Sequence, residues 1–410
     1  MKLGRTVLAA AFALSLAGCG SAIQSSSNPK QSTAPGVDYK TRTITIGAST
    51  QTTGPAAVYY MINQGASAYF DWLNASGKLH GWKIKYLLLN DGYQPTQNLA
   101  NVKTLVQQDK VFAIAVNEGT STNTAAATFL GGLKTPVVAP AEGNPLLSKY
   151  SNYFVEMPNY IEECALATRY AVQTLHVTKV AALYENDDLG QPCVVGMNAE
   201  LQKLGLKAAT TVPFQVSDTN FTPYVSQLAT AGAQAVLVWG ANPDIASALH
   251  AAAPLNFHPK WFGSLFIADP STVKLAGNLL DGFYTTSWYL PLSSKSPAEL
   301  DFIKSMGKYE PSVAVGALSE HGWAEASMFG WGLEQLLNQH LPITQANLMK
   351  VLNNMHQADF GVVQKASYGA RDHVAGWTAV QGEAFTQFKN GQFVRVTGIL
   401  SFPKGINYGQ

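Results

Sequence analysis

The sequence is poor in charged residues and has no excess of either sign. Among its 410 residues, Asp, Glu, Lys and Arg together make up 13%, and the formal net charge at pH 7 is +1. A nucleic-acid-binding protein needs a strongly basic face, and the chain contains neither a basic nor an acidic block. We therefore expect no nucleic-acid partner.

Motifs of common catalytic and cofactor sites are also absent. The chain contains no Gly-x-Ser-x-Gly elbow, no His-Glu-x-x-His pair and no glycine-rich phosphate loop that ends in Lys-Ser or Lys-Thr. The eight histidines are scattered, and no Cys/His cluster has the spacing of metal ligands. The sequence therefore predicts no catalytic residues, no metal, no cofactor and no enzyme activity.

Long apolar runs are lacking too, and the one at the start of the chain is short. Lys2 and Arg5 precede the apolar run 7–16, and small residues follow it up to Cys19. The run is too short to cross a bilayer as a permanent helix, and this order is typical of a secretory signal peptide. We predict a signal peptide over 1–18, and no later run is long enough to span a membrane.

The segment LAGC at 16–19 resembles the lipobox of bacterial lipoproteins. That resemblance implies that Cys19 is diacylated and becomes the new N-terminus, and two acyl chains suffice for a stable membrane anchor. Residues 19–40 are rich in Ser, Asn, Gln and Pro, a composition that buries too little apolar surface to fold, and are predicted to be a flexible tether. The alternative is an ordinary signal peptide with an incidental cysteine.

Cysteine is scarce, with three residues in the whole chain. With Cys19 assigned to the lipid, Cys164 and Cys193 remain, an even number in an oxidising compartment. Each falls in the first turn of a predicted helix, and successive right-handed βαβ units place such turns at one edge of a sheet. The two residues form either a disulfide or two buried thiols.

Strands and helices alternate along most of the chain. Apolar runs favour strands, and amphipathic stretches between them favour helices. This rhythm is typical of parallel sheets covered on both faces, and 47% hydrophobic residues suit packed cores. We predict strands at 43–47, 82–89, 111–116, 136–139, 179–184, 211–214 and 235–239. The helices between and after them are predicted at 57–73, 95–108, 124–133, 161–175, 189–204, 221–230 and 244–253. The rest of the chain is predicted to contain an extended segment at 282–290, helices at 297–308, 319–337 and 344–355, and a hairpin at 385–396.

The order and spacing of these segments resemble the leucine/isoleucine/valine-type substrate-binding proteins of ABC importers, which have the type I periplasmic-binding fold. The segments that carry the resemblance are ITIGAS at 44–49, TGPAA at 53–57, LLNDGYQP at 88–95, VKTLVQQDKVFAIAVNEGT at 102–120, TPVVAPAEG at 135–143, KVAALYENDDLGQP at 179–192, FTPYVSQLATAGAQAVLVWG at 221–240 and EHGWAEASMFGWGLEQLL at 320–337.

The resemblance covers residues 43–396 and implies an α/β fold of two doubly wound parallel-sheet lobes joined by three crossover strands. We expect the crossings near 154–159, 282–290 and 377–388. The N-terminal lobe would comprise 41–156 plus 289–378, and the C-terminal lobe 157–288 plus 379–410. Ligand would bind between the lobes and be trapped by hinge closure.

Candidate ligand-binding residues follow from the same resemblance, position by position. Each belongs to a loop or strand end that faces the ligand in the family. The candidates are Tyr59, Tyr60, Glu118, Thr120, Ser121, Ala141, Glu142, Gly143, Tyr184, Trp239 and Gly240. Asp187 and Asp188, beyond Tyr184, are interpreted as helix-capping residues.

Departures from the family pattern bear on the ligand. Gly143 stands where Thr is common, and Tyr60 where Gly is common. If Glu118 and Glu142 both point into the cleft, they would repel the carboxylate of an α-amino acid, and a cationic, amide-bearing or neutral solute would fit better. The alternative is that both carboxylates face water.

Together these features predict an extracytoplasmic, lipid-anchored, monomeric receptor that captures a small polar solute, such as an amino acid or an amide, for the membrane subunits of an ABC permease. One alternative is a sensory receptor of the same fold that reports to a membrane signalling protein, since a fold does not fix a function. A remote alternative is an extracytoplasmic hydrolase.

Overall fold

The computed structural model describes residues 34–363, 365–368 and 377–406. The predicted signal peptide and Cys19 lie outside these residues. Among the residues that are described, no helix combines the length and the hydropathy needed to cross a membrane.

The first sheet has six strands and lies in the N-terminal lobe. They are β1 (Val37–Asp38), β2 (Thr43–Thr50), β3 (Lys83–Asn90), β4 (Ile114–Ala115), β5 (Val137–Val138) and β6 (Tyr153–Phe154). The spatial order is β3-β2-β4-β5-β6, all parallel, and β1 pairs with β2 antiparallel. Between these strands run α1 (Tyr60–Ser76), α2 (Pro95–Lys103) and α3 (Thr120–Gly131).

The second sheet has eight strands. It contains β7 (Val180–Glu185), β8 (Thr211–Phe214), β9 (Ala235–Trp239), β10 (Lys260–Gly263), β11 (Tyr284–Ser287), β12 (Gly382–Lys389), β13 (Gln392–Arg395) and β14 (Leu400–Ser401). The order is β13-β12-β11-β10-β9-β7-β8, with β14 on β12. The five strands β7 to β11 are parallel, whereas β12 pairs antiparallel with β11, β13 and β14. Every residue of β9 is buried, as a sheet with helices on both faces requires.

Eight further α-helices lie within the part of the chain that the structure describes. In the second lobe these are α4 (Tyr160–Gln173), α5 (Gln191–Lys203), α6 (Thr222–Thr230), α7 (Asn242–Ala252) and α8 (Pro270–Ala276). After β11 the chain returns to the first lobe and forms α9 (Pro297–Tyr309), α10 (Ala317–Asn338) and α11 (Gln345–Asn353).

Helices α1 and α10 approach each other closely because each has a glycine at the contact. A Cβ on Gly65 would collide with the Ser319 carbonyl oxygen, and a Cβ on Gly322 would collide with the Ile62 carbonyl oxygen. The two backbones are therefore in direct contact, which fixes α10 against the first sheet.

Three segments pass between the lobes, near the positions that the sequence predicts. The first follows β6, the second follows β11, and the third precedes β12. The first and third run side by side, because the Ala379 N–H donates to the Val155 carbonyl (2.9 Å) and the Val380 N–H donates to the Glu156 carbonyl (3.1 Å). The predicted α/β fold with two lobes and two mostly parallel sheets is confirmed.

Of the two alternatives for Cys164 and Cys193, a disulfide or two buried thiols, the structure contains the disulfide. Cys164 on α4 and Cys193 on α5 are bonded through their sulfur atoms, with Cα atoms 5.1 Å apart. The bond joins two adjacent helices that pack on the same face of the second sheet.

Some local expectations differ from the structure. Residues 37–38 were predicted to belong to the tether, but they form β1. Gly36 turns the chain there with φ 71°, and its carbonyl accepts a hydrogen bond from the Thr45 N–H (2.8 Å). Helix α3 begins at Thr120, four residues before its predicted start. The prediction missed these residues because the first turn is polar and lacks apolar periodicity. The short elements β10 and α8 were not predicted.

Candidate functional site

A cavity of about 280 Å³ lies between the lobes, where the carboxyl ends of the two sheets face each other. In the first lobe, Gln51 follows β2, Glu118 follows β4 and Ala141 follows β5. In the second lobe, the lining comes from the ends of β7 and β9, from the loops after β8 and β10, and from the first turns of α4 and α7. Pockets that bind small molecules usually measure about 300–1,000 Å³, so this one suits a small solute.

The position of the cavity follows from the strand order. In the first sheet, β2 lies between β3 and β4, so the chain reverses its winding direction between β2 and β4. In the second sheet the same reversal occurs between β7 and β9. Helices leave opposite faces of a sheet at such a switch point and open a crevice there. The two crevices face each other and together enclose the cavity.

The loop after β4 is held in an unusual backbone conformation. Val116 has φ 55° and Gly119 has φ 103°, and a positive φ in a β-branched residue such as Val116 persists only where surrounding contacts impose it. The Asn63 amide donates to the Val116 carbonyl (2.8 Å), and the Asn117 side-chain oxygen accepts from the Ser49 N–H (2.6 Å). These contacts place Glu118 and Thr120 on the cavity wall.

Hydrogen bonds cross from one lobe to the other beside the cavity. The Tyr59 hydroxyl donates to the Asn242 side-chain oxygen (3.0 Å) and accepts from the Asn242 N–H (3.2 Å). The Ser121 hydroxyl donates to an Asp187 carboxylate oxygen (2.5 Å). Both pairs join the N-terminal region of a helix in one lobe to a residue of the other lobe, and both exist only when the lobes are together.

Aromatic rings form much of the cavity wall. Tyr59 and Phe266 lie edge to face with ring centroids 6.0 Å apart, and Tyr160 and Trp239 do so at 6.2 Å. Tyr93 also lines the cavity. The Tyr160 hydroxyl is within hydrogen-bond distance of the Thr120 hydroxyl (3.1 Å). The rings offer apolar area and π-electron faces to a ligand.

The charged groups of the cavity are all acidic. The lining includes Glu118, Glu185, Asp218 and Asp244, and no Lys, Arg or His is among the described residues that line it. Burial raises the pKa of Glu118 well above its ordinary value, that of Glu185 to about 9, and that of Asp244 to about 7. Desolvation disfavours the charged form of a carboxyl group.

Several polar atoms in the wall are buried and have no hydrogen-bond partner within the described chain. They are Oε2 of Glu118, Oε1 of Glu185, and both Oε1 and Nε2 of Gln51. A buried polar atom without a partner is costly. A ligand that supplies the missing partners would remove that cost.

Six of the predicted site residues line the cavity: Tyr59, Glu118, Thr120, Ala141, Trp239 and Gly240. Five others do not: Tyr60, Ser121, Glu142, Gly143 and Tyr184. Ser121 lies between the lobes and contacts Asp187.

Each of the remaining four is directed elsewhere by its neighbours. Tyr60 lies on the side of α1 that faces Glu310. Gly143 lies beneath the Tyr160 ring, where a Cβ would be 2.6 Å from ring atoms. Tyr184 precedes Glu185 on β7, and neighbouring strand residues point in opposite directions, so Glu185 reaches the cavity and Tyr184 packs on the sheet.

Glu142 fits neither of the two alternatives considered for it. It is fully buried, lies outside the cavity lining, and accepts the Asn144 N–H (2.6 Å) through Oε2. Burial raises its pKa well above the ordinary value. Only Glu118 of the two glutamates therefore faces the cavity.

Sequence reasoning did not propose several lining residues, among them Gln51, Tyr160, Glu185, Asp244 and Phe266. Two of them carried a usable signal, because Gln51 directly follows a parallel strand and Glu185 ends one. Asp187, interpreted as a cap, accepts the Leu189 N–H (2.9 Å) just before α5.

A cluster of buried ionisable side chains lies outside the cavity. Glu156, His321 and Glu325 are fully buried, and their donor atoms lie within 4.8 Å of one another. His321 Nε2 is 3.2 Å from Glu325 Oε1, and the Tyr289 hydroxyl contacts His321 Nδ1. The three residues offer a set of metal-ligand atoms that sequence spacing did not predict, because Glu156 and His321 come from distant parts of the chain.

Comparisons with known proteins agree with this architecture. A family model described as Periplasmic binding protein matches residues 43–392. A relative from Pseudomonas aeruginosa named Amino acid binding protein is 27% identical over 183 residues, which are 44% of this chain and 49% of that relative. That match therefore spans about half the length of the relative.

Solved structures match over most of the chain. A fatty acid ABC transporter substrate-binding protein from Thermomonospora curvata has a TM-score of 0.80 at 20% identity, with coverage of 90% of this chain and 94% of that one. A branched chain amino acid ABC transporter protein from Thermus thermophilus with bound valine has a TM-score of 0.78 at 18% identity, with coverage of 88% and 96%. At these identities the likeness establishes the fold.

Proposed function

The chain belongs to the periplasmic binding protein family, and from that premise we propose that it is the solute-capturing receptor of an ABC importer. Members of this family are binding proteins and not enzymes. The observation that carries the proposal is the cavity walled by both lobes and bridged by Tyr59 and Asn242. A site shared between two lobes is formed only when they close.

Closure gives the receptor two distinguishable states. The lobes rotate about the three crossing segments, and a solute that contacts both walls favours the closed state by the difference in its contacts. The Tyr59–Asn242 and Ser121–Asp187 hydrogen bonds add to the closed state only. The membrane permease would then distinguish the loaded receptor by its closed shape.

We further propose that the protein is held outside the cytoplasmic membrane by a lipid on Cys19. The lipobox-like segment at 16–19 supports this placement. Replacement of Cys19 with Ser should release the protein from the membrane fraction without change in solute binding. Retention of the variant in the membrane fraction would contradict the anchor.

The class of solute is a small polar compound such as an amino acid, an amide or a related molecule. The matched proteins are named for an amino acid, valine and a fatty acid, so the solute has to be inferred from the cavity itself. Native mass spectrometry of freshly purified protein should show a co-purified small molecule in the cavity, and deletion of the gene should abolish its uptake.

The Tyr59 hydroxyl provides a sharper test of closure. Tyr59→Phe keeps the ring but removes both contacts to Asn242, so it should weaken binding of the co-purified solute by roughly five- to tenfold, as expected for about 1 kcal/mol. Tyr309→Phe, which removes a hydroxyl outside the cavity, is the matched control. An unchanged affinity in Tyr59→Phe would argue against capture by closure.

A further inference from the structure

We propose that the cavity selects an organic cation, a protonated amine on a compact apolar body, and rejects solutes that carry a carboxylate. The inference rests on the proposed function, because it assumes that the cavity is the solute site. It goes further by naming the charge that the solute must carry, and it narrows the proposed class of small polar compounds to amines without a carboxylate, which excludes amino acids. The juxtaposition that carries it is a set of buried carboxyl groups and aromatic rings around one small cavity with no basic residue in its described lining.

The two lobes each contribute a buried carboxyl group to the cavity. Glu118 comes from the loop after β4 in the first lobe, and Glu185 from the end of β7 in the second. They are 5% and 3% exposed, and each has one carboxyl oxygen without a hydrogen-bond partner in the described chain. A buried charge is tolerated where an opposite charge pairs with it, and the cavity wall supplies none.

Aromatic rings complete a site for a cation with apolar groups. The Tyr59, Tyr93, Tyr160, Trp239 and Phe266 rings all line the cavity. An ammonium group within about 6 Å of such a ring face is attracted by the ring quadrupole, while the apolar part of the ligand fills the space between the rings. The volume of about 280 Å³ limits the ligand to a small molecule.

Acidic side chains lie at the helix N-termini beside the cavity, where a ligand carboxylate would otherwise bind. Helix N-termini bind anions through free N–H groups, and α3, α5 and α7 all begin beside the cavity. At α7, the Asp244 carboxylate accepts the Ala241 N–H (3.1 Å) and the Tyr59 hydroxyl accepts the Asn242 N–H. Before α5, Asp187 accepts the Leu189 N–H. The N-terminus of α3 has no side-chain cap, but Glu118 comes immediately before its N-cap residue Gly119 and also lines the cavity. A ligand carboxylate would therefore meet acidic side chains at all three places.

Cation binding should also release protons. Burial raises the pKa of Glu118 and of Glu185, and the second shift is increased by Asp187 and Asp244. Asp91 and Glu325 act on Glu118 in the same direction. Glu185 therefore holds a proton at neutral pH until a cation replaces it, and the raised pKa of Glu118 acts in the same direction, so affinity for a cation rises with pH. A carboxylate ligand would show the opposite trend.

Three probes with the same branched apolar body separate the alternatives. They are 3-methylbutylamine, which is a cation, 3-methylbutanoate, which is an anion, and leucine, which is a zwitterion. The amine stays protonated at pH 6.5 and pH 8.5, because alkylammonium groups titrate near the lysine value of about 10.4. Calorimetric titration of the full-length protein at pH 6.5 and pH 8.5 should show that 3-methylbutylamine binds at least tenfold more tightly than leucine. Its affinity should be higher at pH 8.5, and 3-methylbutanoate should not bind.

Two variants test the carboxyl groups independently. Glu118→Gln and Glu185→Gln should each reduce the affinity for 3-methylbutylamine at least tenfold at pH 8.5 and reduce proton release. Glu310→Gln, a half-buried glutamate outside the cavity, is the matched control and should change neither. If one of the first two fails to fold, the other still decides, because the groups lie in different lobes.

The outcomes separate this inference from the proposed function. Tighter binding of leucine or of 3-methylbutanoate would overturn the cation inference and support solute capture. Binding of none of the three probes would also overturn the inference, while the co-purified molecule would continue to test solute capture. An affinity for the amine that is unchanged in both glutamine variants would overturn the role of the two carboxyl groups.

Discussion

Replacement of Glu156 by Gln should remove part of the pH dependence of the folded state. Glu156 is fully buried at the first crossing between the lobes, and burial raises its pKa from 4.5 to about 8. The folded protein therefore keeps a proton that the unfolded chain releases above pH 4.5. The stabilising effect of this proton is fully present below pH 4.5 and is lost as the pH rises toward 8.

The magnitude follows from the interval between the two pKa values. It corresponds to about 5 kcal/mol when the pH has passed 8, and to a slope of about 1.4 kcal/mol per pH unit on the way. Between pH 6.5 and 8 the wild type should therefore lose about 2 kcal/mol through this group. Gln has a similar shape and does not titrate, so Glu156→Gln should lose about 2 kcal/mol less than the wild type over the same range.

The pH range is chosen to exclude the neighbouring groups. Burial lowers the pKa of His321 to about 4, so its contribution to stability rises with pH up to 6.5 and is constant above that. Glu325 beside it has a raised pKa caused by its own burial, and it is present in both proteins.

Urea unfolding at several pH values measures the effect, with Asp301→Asn, an exposed carboxylate on α9, as the control. That control should run parallel to the wild type. Parallel profiles for Glu156→Gln and the wild type would refute the reasoning, because they would mean that Glu156 is ionised in the folded protein.

Two further predictions concern the scaffold. The Cys164→Ala, Cys193→Ala double variant should lose roughly 3–4 kcal/mol of unfolding free energy, because the disulfide closes a loop with a sequence separation of 29. Chemical unfolding measures this loss, and a loss below about 1 kcal/mol would contradict the chain-entropy account. Gly322→Ala should destabilise the protein by several kcal/mol because its Cβ collides with the Ile62 carbonyl on α1. A Cβ on Gly307 of α9 would meet no atom within 4 Å, so Gly307→Ala should instead stabilise the protein by about 0.5–1 kcal/mol. Equal effects of the two alanine substitutions on the melting temperature would show that the α1–α10 contact is not tight.

Prediction from the sequence succeeded where the signal was local. Continuous apolar runs such as β7 and β9 and amphipathic stretches such as α4 and α9 were placed within a few residues of their observed bounds. It failed for α3, whose polar first turn gives no apolar period, and for β10 and α8, which are short. Local periodicity depends on neighbouring residues, so a single sequence reveals it.

The cavity lining was only partly accessible to the same reasoning. Tyr59 and Asn242 are 183 positions apart and form a hydrogen bond, which no local pattern shows. Tyr184 and Glu185 are neighbours, and which of them reaches the cavity depends on the direction of the strand within the sheet.

The alternation of apolar and amphipathic segments in the sequence predicted the α/β class, and the resemblance carried by residues 43–396 implied the two lobes and the family. Tertiary structure alone decided that Glu118 faces the cavity while Glu142 is buried outside it. Both follow parallel strands and have the same chemistry. Their environments differ because burial and charge in a cleft arise from residues that the chain brings together only after both sheets have formed.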